Sequence, residues 1–287
     1  MNDTDHLYLT LLTQVLRYGE PRMDRTGVGT RALFGEHVTV SRDVTREFPL
    51  VSVKKTHFRS VALELLWFLR GETNTETLGC GIWDQWSGED GELGPIYGAQ
   101  WRGWCSPRFD EDGSCEAIHE VDQIARLVTG LKDNPTSRRH IVSAWNVAEL
   151  DEMALVPCHY SFQCFVAAGR YLDMQVNQRS CDLGLGAPFN WASYALLMLM
   201  LAKETGLYAR RLKFAYGDMH VYDNHAEKLR RMLEDTAGVV SAPCTVALAE
   251  EKRIPLLTPD SGQWYTLGDI ELQGYEPGPF IKLEVAV

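Results

Sequence analysis

The chain has 287 residues, 45% of them hydrophobic and 23% charged, so it is long enough to bury a sizeable apolar core. Its net charge of -11 argues against broad affinity for nucleic acid or anionic lipid, and we expect neither a nucleic-acid partner nor a membrane. Any anionic ligand must therefore be met by a local group of basic side chains. The seven cysteines form no C-x-x-C pair, so neither a disulfide framework nor a metal site is expected.

The N-terminal sequence MNDTDHLYLTLL lacks the basic region and the cleavage signature of an export signal. We therefore expect a cytoplasmic protein whose thiols are free and mostly buried as small hydrophobic groups. No internal repeat or low-complexity linker divides the sequence, so we expect a single domain over residues 1–287.

Helical periodicity marks three segments of the chain. The first, Leu7–Leu16, has one apolar face, with Thr4 or Asp5 as its expected cap. The second, Ser60–Asn74, is apolar on nearly every side except at Glu64, which makes that carboxylate unusual. A third segment, at 190–203, is apolar around much of its circumference but shorter than the roughly 20 residues of a membrane span, so we expect a central core helix.

Between the helices lie segments typical of strands, which together predict an α+β fold. The clearest shows period-two alternation of apolar and polar residues, as in a half-buried strand. A polar stretch punctuated by glycine and proline, near 104–120, is expected to be a surface insertion. The predicted strands are Ala32–Val40, Arg138–Trp145, His159–Gly169 and Tyr171–Gln178, the last being the alternating one.

A cysteine stands between a proline and a histidine in MALVPCHYSFQ, at the expected start of a strand. Cys158 is either a small core residue or a nucleophile, and a nucleophile needs a cation or donor that stabilises its thiolate. His159 is a poor base for it because neighbouring residues on a strand point to opposite faces. Arg179 in NQRSCD is the better activator, provided that the two strand ends converge.

Arginines recur in three short polar contexts: DRTGVGT, TSRRH and QRSCD. Each could be a solvated surface charge. Together they favour an anion site, because the planar guanidinium group binds phosphate through two hydrogen bonds and a neighbouring serine adds a donor. The residues concerned are Arg25, Arg138, Arg139, Arg179 and Ser180.

Ten motifs in the chain resemble those of the folate-dependent thymidylate synthases, in the order expected for that family and across Met23 to Val287. They are MDRTGVGT, ELLWFLRGETN, IWDQW, LGPIYGAQW, TSRRHIVSAWN, MALVPCH, NQRSCDLGLGAPFN, ASYALL, GDMHVYDNH and IKLEVAV. The resemblance implies a large mixed sheet packed with helices, in a homodimer whose sheets pack back to back. It also implies transfer of a one-carbon unit from 5,10-methylenetetrahydrofolate to C5 of dUMP, and its reduction.

The resemblance further implies a role for each matching residue. Cys158 is the expected nucleophile toward C6 of the pyrimidine, Glu64 and Tyr97 are expected to handle protons through water, and Arg179, Asn190 and Asp182 complete the catalytic group. The expected nucleotide ligands are Arg25, Arg179, Ser180, Asp182, Asn190, His220 and Tyr222, with Arg138 and Arg139 donated by the other subunit. The expected folate ligands are His57, Ile82, Trp83, Leu155, Asp182, Gly186, Phe189, Ala286 and Val287.

Departures from the family pattern leave the final step open. Trp191 and Tyr216 are larger than the residues usual in the family, and Cys164 also differs. If the enlarged side chains displace the folate or reorganise water, the exocyclic methylene takes water instead of hydride. The expected products are dTMP and dihydrofolate, with 5-hydroxymethyl-dUMP as the alternative.

Two other classes of protein are less well supported. A cysteine-dependent hydrolase needs a histidine within reach and an oxyanion hole, and no motif beyond the adjacent His159 supplies them. A nucleotide- or RNA-binding pseudoenzyme is expected to have lost Cys158, Glu64 or Tyr97, and all three are present.

Overall fold

A computed structural model of the chain describes residues 1–110, 112–236, 241–254 and 261–285. Its helices are α1 (Asp3–Tyr18), α2 (Phe58–Leu69), α3 (Tyr97–Arg102), α4 (Gln123–Asp133), α5 (Gly186–Thr205) and α6 (Asp223–Asp235). Its strands are β1 (Glu20–Arg22), β2 (Thr30–Phe34), β3 (His37–Ser41), β4 (Trp104–Phe109), β5 (Cys115–Val121), β6 (Ile141–Ser143), β7 (His159–Ala167), β8 (Tyr171–Asp182), β9 (Tyr208–Tyr222), β10 (Thr245–Leu248) and β11 (Ile270–Gln273).

Seven strands form the main sheet, in the order β1-β2-β9-β8-β7-β6, with β3 also paired to β9. In this sheet β8 and β9 are parallel and all the other strand pairs are antiparallel, so the sheet is mixed. Two smaller sheets are the pairs β4–β5 and β10–β11. The predicted α+β class with a large mixed sheet and packed helices is therefore confirmed.

The central helix α5 lies against β8 and β9 and is buried on nearly all sides. Its sequence is apolar all round because it has no solvent-facing stripe to keep polar. The helix is longer than the predicted 190–203 and ends at Gly206, whose φ of 70° is easily adopted by glycine. Its N-terminal turn lies beside the end of β8, which brings Asp182 and Asn190 to the same part of the molecule.

The N-terminal helix begins earlier than predicted, and the predicted cap was wrong. Asn2 is the cap, and its side chain accepts a hydrogen bond from the backbone N–H of Asp5. Asp5 is itself fully buried, where its carboxylate accepts hydrogen bonds from Ser52 and Ser241. Periodicity alone gives no sign of such a distant partner.

Two strand predictions need correction, and the expected surface insertion contains strands that were not predicted. The segment Ala32–Val40 is two strands, because Gly35 has a φ of 86° and breaks the extended run. Within Arg138–Trp145 only Ile141–Ser143 is a strand. The expected surface insertion is largely the hairpin β4–β5. The longest strand, β9, was not predicted.

Within the part of the chain that the structure describes, no helix is long and apolar enough to cross a membrane.

Candidate active site

Two strand ends meet at the candidate nucleophile. Cys158 directly precedes β7, and its carbonyl accepts a 2.8 Å hydrogen bond from the backbone N–H of Arg179 near the end of β8. The N–H of Cys158 donates to the hydroxyl of Tyr97, the first residue of α3, over 2.8 Å. The convergence that the nucleophile hypothesis required is present, because antiparallel pairing of β7 with β8 aligns these ends.

The thiol lies between opposing electrostatic effects. Burial raises the pKa of Cys158, whereas the positive charges of Arg179 and Arg25 lower it by a smaller amount. The guanidinium group of Arg179 donates to backbone carbonyls. Its Nε donates to the carbonyl of Pro157 at 2.9 Å, and its Nη2 donates to that of Val156 at 2.8 Å. The net pKa shift is therefore opposite to the one predicted from Arg179 alone.

His159 is structural in this arrangement. It is buried, its Nδ1 pairs with the hydroxyl of Tyr194 at 2.9 Å, and its ring stacks on Tyr97 at 4.2 Å between centroids. Burial lowers the pKa of His159 to about 3, so the ring stays neutral. This side chain offers no base for Cys158, which weighs against a cysteine hydrolase.

Glu64 lies on α2 among apolar neighbours, and burial raises its pKa to about 7. The indole N–H of Trp83 donates to Glu64 Oε1 at 2.8 Å, and this bond fixes the carboxylate and the indole relative to each other. Burial raises the pKa of Tyr97 well above its ordinary value, and the nearby Cys158 adds a smaller increase. Near neutral pH, Glu64 can exchange protons whereas Tyr97 keeps its own.

The predicted anion ligands lie at the surface. Arg25 is exposed in the loop before β2, which is fixed to α6 by the N–H of Asp223 donating to the carbonyl of Gly29 at 3.0 Å. Arg138 and Arg139 are exposed in the turn before β6. Neither of these two acts on the thiol pKa of Cys158, in contrast to Arg25 and Arg179.

The side-chain amide of Asn190, which was predicted to recognise the base, is oriented by the side-chain amide of Gln178. Gln178 on β8 donates from Nε2 to Asn190 Oδ1 at 3.0 Å and to the carbonyl of Ser180 at 2.9 Å. Gln178 is buried, and its Oε1 has no hydrogen-bond partner among the described residues. Sequence reasoning missed Gln178, because its contact with Asn190 joins a strand to a helix.

The predicted sugar ligands lie at the end of β9, where Asp182 and His220 are register partners. The Nδ1 of His220 pairs with Asp218 at 2.8 Å, and its ring meets Tyr222 edge-on at 5.1 Å. Burial raises the pKa of Tyr222 to about 12, so its hydroxyl remains protonated near neutral pH.

Folate ligands were predicted on several separate elements. Trp83 is buried, whereas Ile82, Leu155 and Phe189 are partly buried and pack against the core. The carboxylate of Asp182 accepts a hydrogen bond from the N–H of Gly184 at 2.7 Å. His57 is exposed and pairs with Ser60, Gly186 begins α5, and Ala286 and Val287 lie outside the described residues.

Lys54 is a charged group that the sequence prediction missed. It is 5% exposed, and burial lowers its pKa to about 8 against the opposing charge of Asp182. A lysine in the apolar run FPLVSVKK was the available signal. Its proximity to Asp182 makes it a candidate cation for an anionic part of a ligand.

Trp191 and Tyr216, which are larger than the residues usual in the family pattern, are part of the protein core. Trp191 and Tyr216 are 0% and 3% exposed, and the indole N–H donates to the tyrosine hydroxyl at 2.6 Å. Tyr8 meets Trp191 edge-on at 6.1 Å, and Cys164 is also buried. The buried indole N–H of Trp191 thus has its hydrogen-bond partner within the core.

A sequence model described as "Thymidylate synthase" matches residues 6–287 of the chain. The chain belongs to the thymidylate synthase family. Members of this family transfer a one-carbon unit to dUMP and use methylenetetrahydrofolate as co-substrate, so this thymidylate synthase homologue is an enzyme of the methyltransferase type. In the described part of the chain, no group of three or more His, Cys, Asp or Glu side chains could hold a metal ion.

Proposed function

We propose that the chain converts dUMP and 5,10-methylenetetrahydrofolate into dTMP and dihydrofolate. The observation that carries this choice of product is the burial of Trp191 and Tyr216, which are hydrogen-bonded to each other in the core. Because their bulk is accommodated there, it gives no reason to expect displaced folate or added water at the reacting carbon. The departures from the family pattern then amount to changes in packing.

Cys158 is the proposed nucleophile. Its thiolate adds to C6 of the pyrimidine, and the C5–C6 electrons move to give an enolate at C4, which makes C5 reactive toward the one-carbon unit. Arg179 and Arg25 favour the thiolate that this addition requires. Asn190 is the proposed reader of the base, donating to O4 and accepting from N3–H, since a carboxamide can do both.

Glu64 and Tyr97 are the proposed proton-handling groups. With a pKa of about 7, Glu64 is populated in both protonation states near neutral pH and can give or take a proton through water. Tyr97 remains protonated and can relay the proton that leaves C5. Its hydroxyl already contacts the backbone of Cys158, so it lies close to the expected position of the pyrimidine ring.

The folate supplies both the methylene group and the hydride that reduces it. Trp83 is fixed by Glu64, and Leu155 and Phe189 add apolar surface that suits a flat pterin ring. Asp182 offers a carboxylate to the pterin N–H groups. Exclusion of water by these side chains favours hydride over hydroxide at the methylene.

A homodimer completes the proposed site with Arg138 and Arg139 of the other subunit. Both are exposed and without influence on the thiol pKa of their own chain, as expected for groups that serve a neighbouring site. The main sheet also exposes large apolar side chains that a second sheet could cover, Phe34 at 83%, Ile141 at 52% and Phe165 at 61%. We further propose a single domain in the cytoplasm, consistent with free cysteines at the described positions.

Product analysis tests the proposal. Purified protein is incubated with dUMP and methylenetetrahydrofolate. The mass of the nucleotide product is measured by mass spectrometry, and dihydrofolate formation is followed by its absorbance. We expect dTMP and dihydrofolate in equal amounts, because only the hydride route oxidises the folate. A nucleotide heavier than dTMP by one oxygen, without dihydrofolate, would make the enzyme a dUMP hydroxymethylase.

A further inference from the structure

A row of three polar side chains lies along the end of β9. Asp218, His220 and Tyr222 are alternate residues of one strand, so their side chains point to the same face of the sheet. The parallel neighbour β8 places Ser180 opposite Asp218 and Asp182 opposite His220. His220 and Tyr222 are the proposed sugar ligands, whereas Asp218 has no role in the proposed function.

Hydrogen-bond chemistry fixes the state of the His220 ring. Its Nδ1 lies 2.8 Å from Asp218 Oδ1, and the residue is 7% exposed. The hydrogen bond with His220 lowers the pKa of Asp218, and burial opposes this by a smaller amount, so the carboxylate is ionised near neutral pH. An ionised carboxylate only accepts, so Nδ1 must carry the hydrogen. In a neutral ring Nε2 then presents a lone pair, and it has no hydrogen-bond partner among the described residues.

Arg22 on β1 determines which way the carboxylate faces. Its Nη1 donates to Asp218 Oδ2, which leaves Oδ1 for His220. The Arg22 side chain is 58% exposed, and an ion pair so exposed contributes little to stability. Its consequence for the site is orientation, because a side chain at position 218 must turn an acceptor toward Arg22.

The second proposed sugar ligand has the opposite hydrogen-bond role. Burial raises the pKa of Tyr222 to about 12, so its hydroxyl keeps its hydrogen near neutral pH. Its ring meets that of His220 edge-on, with 5.1 Å between the centroids. A hydroxyl group can donate to one atom and accept from another. A sugar hydroxyl that contacts both side chains can therefore donate to His220 Nε2 and accept from Tyr222.

We propose that Asp218 is a positioning residue that holds His220 as a hydrogen-bond acceptor and thereby selects nucleotides with a free 3′-hydroxyl. The inference rests on the proposed function, which places the sugar of dUMP at His220 and Tyr222. In dUMP the 3′-hydroxyl is the free hydroxyl of the sugar, because C2′ has none and C5′ carries the phosphate. A 3′ substituent without a hydrogen would leave Nε2 facing a second lone pair.

The decisive variant is Asp218→Asn, which keeps the shape of the side chain. Arg22 still requires an acceptor, so the amide oxygen should turn to Arg22 and the amide NH2 group to His220. An NH2 group only donates, so the ring hydrogen should move from Nδ1 to Nε2. Arg22→Met leaves the carboxylate in place and should leave the hydrogen on Nδ1.

Asp43→Asn is the matched control. The Asp43 side chain is 29% exposed against 28% for Asp218, and it likewise pairs with an exposed arginine, Arg46. In the described part of the chain, Asp43 accepts hydrogen bonds from Tyr208 and contacts no histidine.

Two measurements are made on wild type and the three variants. Nitrogen-15 NMR of the histidine rings, at about pH 8 where an ordinary histidine is neutral, reports which ring nitrogen carries the hydrogen. His220→Gln assigns the signal. Calorimetry gives Kd for dUMP and for its 3′-fluoro analogue, in which fluorine replaces the hydroxyl and donates no hydrogen bond. Turnover gives kcat and KM for dUMP and for the folate.

We expect the hydrogen on Nδ1 of His220 in wild type, Arg22→Met and Asp43→Asn, and on Nε2 in Asp218→Asn. The preference for dUMP over the fluoro analogue should fall at least about fivefold in Asp218→Asn and stay at the wild-type value in Asp43→Asn. Asp218→Asn should also raise KM for dUMP about fivefold, with kcat and KM for the folate changed less than about twofold, since one hydrogen bond to the sugar is mispaired.

Failure of this inference is distinguishable from failure of the proposed function. A hydrogen on Nε2 in wild type would overturn the inference without any variant. An unchanged ring in Asp218→Asn, or an equal loss of affinity for both nucleotides, would make Asp218 a structural residue. If wild type neither binds dUMP nor turns it over, the proposed function is wrong, and the NMR signal of the free protein still reports on Asp218.

Discussion

The inner wall and the rim of the proposed site are built in different ways. Glu64, Tyr97 and His159 lie in the inner wall, where burial shifts their pKa values and each has a hydrogen-bond partner within the chain. Arg25 and Arg138 on the rim are exposed. Glu64 and Tyr97, the proposed proton-transfer groups, are thus held in place within one chain, whereas we propose that ligand and a second subunit complete the anion-binding groups on the rim.

Cys158 lies at the boundary between these regions. Burial from the inner wall raises its pKa, and the rim charges of Arg179 and Arg25 lower it. A thiol held mostly protonated in this way is protected from oxidation, which requires thiolate. Its reactivity should depend on changes that nucleotide binding makes to the rim.

The largest effect is expected from Cys158→Ser, which removes the group shared by both regions. An alcohol supplies almost no anion at neutral pH, so we expect turnover to fall by about a thousandfold or more while dUMP still binds. Rates and calorimetric binding of dUMP measure this, with Cys105→Ser, at an exposed thiol, as the control. Retention of more than about a hundredth of wild-type activity would contradict a covalent mechanism.

In the inner wall, Glu64→Gln should slow turnover by about a hundredfold, the usual scale of lost proton transfer. A carboxyl with a pKa of about 7 when folded binds more protons than in the unfolded chain, where its pKa is near 4.3, so wild type loses stability as pH rises between these values.

The glutamine variant escapes that loss. Relative to wild type, it should therefore gain roughly 1–3 kcal/mol of stability between pH 5 and pH 8. Urea unfolding at fixed protein concentration measures the gain, and the exposed Glu76→Gln serves as the control. An equal difference from wild type at both pH values would show that Glu64 is not buried as a protonated group.

At the rim, subunit mixing tests whether Arg138 serves the partner. An inactive Arg138→Ala chain and an inactive Cys158→Ala chain, mixed equally, form heterodimers with one complete site. Random exchange should then restore roughly a quarter of wild-type activity. Arg46→Ala, at an arginine that is 84% exposed, should be active without mixing. No recovery after confirmed subunit exchange would rule out a shared site.

The sequence predicted the inner wall better than the rim for a physical reason. Unbroken apolar segments such as α2 show where a buried carboxylate must lie, so the amino-acid pattern alone makes Glu64 conspicuous. The sequence around Pro157 and Cys158 also indicated where a strand begins, and β7 begins directly after them. The net pKa shift of Cys158 could not be predicted, because it depends on how far burial outweighs two arginines from separate parts of the chain, Arg25 in a loop and Arg179 on β8.

Contacts between distant segments were the other limit. The sequence left open whether Trp191 faces the site or the core, since a helix apolar on all sides gives no preferred facing direction. The direction of Tyr216 was open as well, because the strand that carries it was not predicted. Gln178 and Asp218 were missed because their importance comes from partners on other elements. Strand β9 was also missed, although it forms the middle of the sheet.

The preference for uracil over cytosine should depend moderately on Asn190, at the junction of the inner wall and the rim. Asn190 is oriented by Gln178, and an amide satisfies both O4 and N3–H of uracil, whereas cytosine leaves a buried polar group unpaired. We expect wild type to prefer dUMP over dCMP by at least about tenfold in kcat/KM. Asn190→Asp should narrow that ratio, and the exposed Asn224→Asp should not. Equal turnover of both nucleotides by wild type would remove Asn190 from specificity.

The smallest effect on turnover is expected behind the inner wall, from Tyr216→Phe. Removing the hydroxyl leaves the buried indole N–H of Trp191 without its 2.6 Å partner, which should cost about 1–3 kcal/mol of stability. Because both rings lie in the core, the nucleotide product should remain dTMP. Urea unfolding and product mass test both parts, with Tyr18→Phe, at a residue 63% exposed, as the control. A shift toward 5-hydroxymethyl-dUMP would show that this pair controls water at the site despite its burial.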